Sequence, residues 1–152
     1  MSPLRYPPPP GGGYRIRRTT IARKKDEARE IAKLCAKIAD DKKAENVVVL
    51  QMTHLVVLTD YFVIANGTNP RQVSAIADEL ARTMRALKVP VLGVEGLQDG
   101  KWALLDCGDV VVHVFDSSTR SFYDLENLWA DAPRVRWKKS VRKPAAGKGK
   151  TK

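Results

Sequence analysis

All seventeen acidic residues of this chain lie between positions 26 and 133, and that segregation limits which part can fold. Residues 1–25 carry seven Lys or Arg and no acid, and residues 134–152 carry nine and no acid. The ends therefore hold +16, while the middle sets eleven basic against seventeen acidic residues for a net of −6. Residues 1–13 run from Pro (Pro7 to Pro10) into Gly (Gly11 to Gly13), and residues 140–152 are mostly Lys, Ala, Gly and Pro. Segments with so little to bury cannot offset the entropy of ordering, so both are expected to be disordered alone. The expected organisation is a basic tail over 1–25, one domain over 26–133 and a second basic tail over 134–152, a size that suits a single core.

A mildly acidic body between cationic arms suits a large polyanionic partner, with the arms on phosphate and the body selecting a protein site. Arg15, Arg17, Arg18, Lys138, Lys139 and Arg142 are the expected RNA-contacting residues of the arms. Tyr14, Ile16 and Trp137 punctuate the basic flanks, which are read as solvated linkers unless they fold onto the body or onto RNA. No apolar run approaches the ~18 residues of a membrane span, and no secretory signal is visible. A cytoplasmic location is expected. An acid-free, Arg-containing leader also suits an organellar transit peptide, although the Pro and Gly runs would break its amphipathic helix. Cys35 and Cys107 have neither disulfide-framework nor zinc spacing.

Within the middle, Ala28, Ile31, Ala32, Cys35, Ile38 and Ala39 recur at helical steps from Asp26 onward. β-rich runs follow at Val47 to Leu50 and Tyr61 to Ala65, expected to be neighbours. Asn69-Pro70-Arg71-Gln72 then reads as a helix start: Asn69 as N-cap, Pro70 at the first position, Gln72 completing a capping box. Val73, Ile76, Ala77, Leu80, Met84 and Leu87 form that helix's apolar face. Three more strands are expected at Val91 to Glu95, Trp102 to Asp106 and Val110 to Phe115. One or two short helices close the domain over Ser117 to Trp129, capped by Ser117 or Ser118. The order is α-β-β-α-β-β-β-α: an α/β fold with a mixed five-stranded sheet flanked by helices.

Catalytic patterns are missing. Neither a Walker loop nor Gly-x-Gly-x-x-Gly occurs, and Gly67 in Asn66-Gly67-Thr68 reads as a geometric requirement of a strand-to-helix turn. No Asp-x-Asp offers two carboxylates on one strand face for divalent ions, and His54 and His113 have no nucleophile nearby in sequence. No cofactor and no metal are expected, and the chain is read as a binding protein.

The contact surface is expected on the last strand pair. With Cys107-Gly108 as a two-residue loop, Trp102 faces His113 and Asp106 faces Asp109. Ala103, Leu105, Val110, Val112 and Val114 would then share a core face. Trp102, Leu104, Asp106, Asp109, Val111, His113 and Phe115 would share the other, a mixture of aromatic, aliphatic and polar side chains suited to a partner.

Several strings together resemble one family: Thr59-Asp60-Tyr61-Phe62-Val63-Ile64; Gly67-Thr68 with Arg71-Gln72-Val73; Glu95-Gly96; Gly100 through Asp106; Gly108 through Phe115; and Tyr123-Asp124-Leu125-Glu126-Asn127-Leu128-Trp129. Across about residues 28 to 131 the chain resembles the ribosomal silencing factors, RsfS or Iojap. The resemblance implies a nucleotidyltransferase-like fold without that superfamily's catalytic groups. It also implies binding to the fourteenth protein of the large ribosomal subunit, which keeps the small subunit away and represses translation, with a role in large-subunit assembly for organellar relatives. Carried over by position, the family's contact surface would involve Trp102, Leu104 and Asp109, with His113 and Phe115 as neighbours. The aliphatic His54-Leu55-Val56-Val57-Leu58 departs from the usual Ser-containing segment, Cys107 stands where Tyr is frequent, and the long basic tails are extra. Three rival readings follow: a metal-dependent nucleotidyltransferase-like enzyme, a general RNA-binding module led by the tails, and a homodimer formed through the same patch.

Overall fold

The computed structural model describes residues 21–56 and 59–138, with side chains from residue 27 onward. Its elements are α1 (Ile21–Asp41), β1 (Glu45–Gln51), β2 (Tyr61–Gly67), α2 (Pro70–Ala86), β3 (Gly93–Glu95), β4 (Trp102–Asp106), β5 (Val110–Asp116), α3 (Ser117–Tyr123) and α4 (Leu125–Leu128). The mixed five-stranded sheet has the order β1-β2-β5-β4-β3. β2 and β5 run parallel, and the remaining neighbours are antiparallel. The expected α-β-β-α-β-β-β-α order stands, with two short closing helices.

One sheet face is covered by α1 and α2. Ala28, Ala32, Cys35, Ala36 and Ala39 of α1 are fully covered, and their small side chains let the helix lie close to the strands. From α2, Val73, Ile76, Ala77, Leu80 and Met84 complete this core with Ala103, Leu105, Val110, Val112 and Val114 of the sheet. The opposite face carries a smaller cluster in which Leu50, Met52, Phe62, Ile64, Leu104, Val111 and Phe115 meet Leu125 and Ala132. β2 lies between β1 and β5 with both faces covered, so all seven of its residues are buried.

Helix ends follow local chemistry. The Asn69 Oδ1 accepts the Gln72 N–H at 2.8 Å, the expected N-cap. The other half of the capping box differs. Gln72 Oε1 accepts from the Thr68 N–H at 2.5 Å and the Thr68 hydroxyl at 2.7 Å, one residue before the cap. Gln72 Nε2 donates to the carbonyls of Lys42 and Lys43, tying the start of α2 to the end of α1. The cap of α3 is Asp116, not Ser117 or Ser118: its Oδ1 accepts the Thr119 N–H at 2.9 Å. A carboxylate at a helix N-terminus also complements the helix dipole, an advantage a serine lacks.

The β4–β5 register differs from expectation by two residues. Trp102 pairs with Phe115, Leu104 with His113 and Asp106 with Val111. The turn centres on Gly108-Asp109, closed by Cys107 N–H to the Val110 carbonyl at 2.9 Å, with Gly108 at φ 83°, a backbone region that favours glycine. Asp106 and Asp109 therefore do not face each other, and the Asp106 carboxylate instead accepts the Gly108 N–H at 2.8 Å. Because side chains alternate with period two, a slip of two leaves every face assignment intact.

The body is longer than residues 26–133. α1 begins at Ile21, and residues 133–137 run along the outer edge of β1. Gln51 N–H donates to the Pro133 carbonyl and Val135 N–H to the Val49 carbonyl, each at 2.8 Å, while Arg134 bridges Leu50. Val135 is buried in the main core, and the Trp137 indole donates to the Val47 carbonyl at 3.2 Å. A free strand edge and two apolar side chains outweigh the basic composition that makes this stretch read as tail.

Candidate docking surface

The residues expected to form one contact face separate by exposure. Leu104, Asp106, Val111, His113 and Phe115 are buried beneath α3, α4 and the loops on that side, whereas Trp102 and Asp109 are partly exposed. The two lie at opposite ends of the β4–β5 pair, with Asp109 in the turn and Trp102 at the α3 end. The Asp109 carbonyl accepts the N–H groups of Asp60 and Tyr61 at 2.9 and 3.0 Å, which docks the turn onto the start of β2.

Trp102 sits within a chain of rings that passes from surface to core. Phe122 is 81% exposed and meets Tyr123, 47% exposed, edge-on at 5.0 Å between centroids. Tyr123 meets Trp102 at 4.7 Å, Trp102 meets Phe115 at 5.0 Å and His113 at 5.9 Å, and His113 packs edge-on against Phe62 at 4.6 Å. Such contacts are each worth about 0.5–1.5 kcal/mol beyond area burial, so the outer rings stand on a firm base. An open groove of about 490 Å³ runs beside them, lined by Asp99, Lys101, Trp102, Thr119, Phe122 and Tyr123. Leu128 of α4 adds a further exposed aliphatic side chain, 67% accessible.

Phe122, Tyr123 and Leu128 escape the strand-based reading of the sequence, although a signal for two of them exists. The seven-residue α3, SSTRSFY, places its only large apolar residues next to each other at its end. One turn before them stand only Ser118, Thr119 and Arg120, so no apolar residue continues a stripe that a neighbouring element could bury.

α3 is held by Arg120, which is only 7% exposed. Its guanidinium donates to the Asn46 carbonyl at 2.5 Å, the Asn66 Oδ1 at 2.9 Å and both Glu126 carboxylate oxygens at 3.3 and 2.5 Å. The Arg120 hydrogen bonds hold the Glu126 carboxyl below its ordinary pKa. Asp124, at φ 48° and ψ 57°, ends α3 in the left-handed region and starts α4, its N–H returning to the Arg120 carbonyl. Six residues separate Arg120 from Glu126, a spacing that no single helix face brings together, so the sequence gives no sign of the pair.

His113 is buried and neutral. Burial lowers its pKa to about 3. Its Nδ1 accepts the Trp102 indole N–H at 3.1 Å, and its Nε2 is buried without a partner among the described residues. Burial raises the carboxyl of Asp106, against the Gly108 hydrogen bond that lowers it. The Cys107 thiol is pushed up to about 12, mainly by burial, and Cys35, against Met84 at 4.0 Å, is raised as well, so both are core residues and poor nucleophiles.

Among the described residues no three His, Cys, Asp or Glu side chains gather to hold a metal ion, and no helix is long and apolar enough to cross a membrane. The Asn66-Gly67-Thr68 turn is structural. A Cβ on Gly67 would stand 2.9 Å from the Val73 backbone nitrogen, and Asn66 is engaged by Arg120. Of the residues expected to contact RNA, Lys138 is exposed and lies 3.9 Å from Asp40, whereas Arg15, Arg17, Arg18, Lys139 and Arg142 are outside the described residues.

Fold and surface together define a mixed α/β domain that presents exposed and partly exposed aromatic side chains at one end of its sheet. Residues 25–152 match the family described as "Ribosomal silencing factor during starvation", RsfS. A protein from Halalkalibacterium halodurans, "Ribosomal silencing factor RsfS", is 43% identical over 106 residues, covering 70% of this chain and 91% of its own. A crystal structure of a Bacillus halodurans protein superposes with a TM-score of 0.63 at 41% identity, covering 71% of this chain and 98% of that one. The mouse "Mitochondrial assembly of ribosomal large subunit protein 1" is 34% identical over 91 residues, 58% of this chain and 40% of that protein. The chain belongs to the ribosomal silencing factor family.

Proposed function

We propose that this chain docks on the large ribosomal subunit, through its fourteenth protein, and sterically prevents the small subunit from joining, repressing translation in the cytoplasm without catalysing a reaction. The observation that carries this reading is the pair of exposed rings Phe122 and Tyr123 beside the partly exposed Trp102, on a buried aromatic base. Exposed rings rooted in packed ones supply the anchors of a protein interface with little ordering entropy left to lose. Trp102 and Asp109 are the direct contacts. Leu104, Asp106, Val111, His113 and Phe115 support them from beneath.

Trp102 lies level with Phe115, six residues along the chain from Asp109, so the two contacts stand roughly 20 Å apart at 3.3 Å per residue, within one standard footprint of about 800 Å² per partner. Co-sedimentation with large subunits and a subunit-joining assay test the proposal. Trp102→Ala and Phe122→Ser should each weaken binding at least tenfold and relieve the block on joining. Wild-type binding by both variants would refute the site. A homodimer through the same rings predicts that these variants become monomeric while their ribosome affinity holds.

The name of the mouse relative favours a second reading, a role in large-subunit assembly. It predicts that depletion accumulates immature large subunits even in growing cells. For either role the basic ends add affinity for ribosomal RNA. Since released counterions make such binding salt-dependent, deleting residues 1–20 and 139–152 should flatten the fall of affinity with salt, and an unchanged slope would exclude contact with RNA. Residues 134–138 are kept in this deletion because they belong to the body.

A further inference from the structure

The contact between Trp102 and His113 sets what a partner meets at the docking surface. An indole nitrogen can only donate, so the Trp102 N–H at 3.1 Å requires His113 Nδ1 to accept, and the imidazole proton must sit on Nε2. That Nε2 is fully enclosed and has no hydrogen-bond partner among the described residues. A buried unpaired donor costs about 1–3 kcal/mol, whereas a leucine or phenylalanine at this position would cost nothing of the kind. The imidazole is also wedged edge-on against Phe62 at 4.6 Å and parallel to Phe115 at 6.2 Å, so it has little freedom to turn. A polar side chain retained at such cost among aromatic neighbours calls for an explanation, and its Nδ1 contact with the half-exposed Trp102 supplies one.

We infer that His113 is a positioning residue: it caps the Trp102 indole N–H from within and fixes the ring so that only ring carbon is offered outward. The inference rests on the docking role of Trp102 proposed above and specifies its chemistry. The partner surface at this point is apolar, formed by aliphatic side chains, with no carbonyl or carboxylate aimed at the indole. A partner bringing an acceptor would compete with His113, while an aliphatic one meets a ring already oriented and already satisfied.

Two His113 variants test this. His113→Asn places a carbonyl oxygen near the Nδ1 position and preserves an acceptor, and His113→Leu removes it while keeping the site apolar. The first readout is the Trp102 indole N–H resonance in a ¹H–¹⁵N spectrum of the full chain, assigned by its loss in Trp102→Phe. His113→Leu should shift it and speed its exchange with solvent at least tenfold, and His113→Asn should keep it close to wild type. The second readout is affinity for purified large subunits. The Leu variant should bind about fivefold more weakly, the worth of one neutral hydrogen bond, with Asn restoring binding to within about twofold.

Trp102→Phe should bind about fivefold more weakly too, and the double variant Trp102→Phe/His113→Leu no more weakly than either single one, because both lose the same bond. An unchanged indole resonance in His113→Leu, or additive losses in the double variant, would overturn the inference. Should wild-type protein fail to bind large subunits at all, the docking role would fall, and the spectral comparison would still decide whether His113 holds the ring. The Asn variant's thermal unfolding separates loss of orientation from loss of fold.

Discussion

Replacing Arg120 by Met removes the tie that holds α3 against the sheet while keeping most of the side chain's volume. Arg120 is 7% exposed, and four hydrogen bonds converge on its guanidinium from Asn46, Asn66 and both oxygens of Glu126. Breaking a buried ion pair by removing one partner costs about 3–5 kcal/mol. The Glu126 side chain keeps 21% of its surface in water and regains some hydration, which lowers that figure. The buried Asn66 Oδ1 loses its donor, an addition of about 1 kcal/mol or more. A loss of about 3 kcal/mol results, which at an m-value of about 1.5 kcal/mol/M moves the urea midpoint down by about 2 M.

The pH dependence provides a second check. Glu126 has a folded pKa below its unfolded value, so its stabilisation is complete above the ordinary carboxylate range, near pH 4.5, and is lost as pH falls through the lower folded value. The gap between wild type and Arg120→Met should therefore narrow below pH 4.5. Because α3 carries Phe122 and Tyr123, ribosome affinity should fall with it. A loss under 1 kcal/mol at pH 7, or a gap that persists to pH 3, would refute the assigned role of Arg120.

His113 gives the fold a second acid sensitivity. Its folded pKa of about 3 lies below the ordinary 6.5, so the unfolded chain binds the proton first and stability declines as pH falls from 6.5 toward 3. Urea unfolding of His113→Leu should show a flatter slope than wild type between pH 6.5 and 5, where ordinary carboxylates do not titrate; parallel curves would contradict a buried neutral imidazole. Truncation after Pro133 removes Val135 and Trp137 from the β1 edge and should cost about 2–4 kcal/mol, from one buried valine, a partly buried indole and their backbone bonds, whereas truncation after Lys138 retains all of these contacts. Thermal unfolding of the two truncations decides it, and equal stability would return residues 134–138 to the tail.

Period and punctuation made most of the elements legible. Ala28 to Ala39 at helical steps, Asn69-Pro70 as a helix start and the run Val110 to Phe115 appear in the structure as α1, the cap of α2 and β5. The turn between β4 and β5 lies one residue later than expected, which shifts the register by two, because Gly108 is its first loop residue and not its second, and nothing local weighs one against the other. Of the proposed contact surface, the sequence shows only part. Trp102 was identifiable as an aromatic at a strand start, but alternation along β4 and β5 only separates two faces and does not say which one another element will cover.

Sequence by itself determined the α/β order, the separation of acidic body from basic ends and the two faces of each strand, since these follow from local periodicity and composition. Tertiary structure alone decided that the face bearing His113 and Phe115 is closed over by α3 and α4. The same is true of Arg120 reaching Asn46 and Asn66 across more than fifty residues, and of the basic residues after 133 completing the β1 edge. Burial and ion pairing depend on which distant segments arrive, and distance along the chain carries no record of that. Trp102 is the centre of the proposed docking surface, with Phe122 and Tyr123 beside it and His113 behind it.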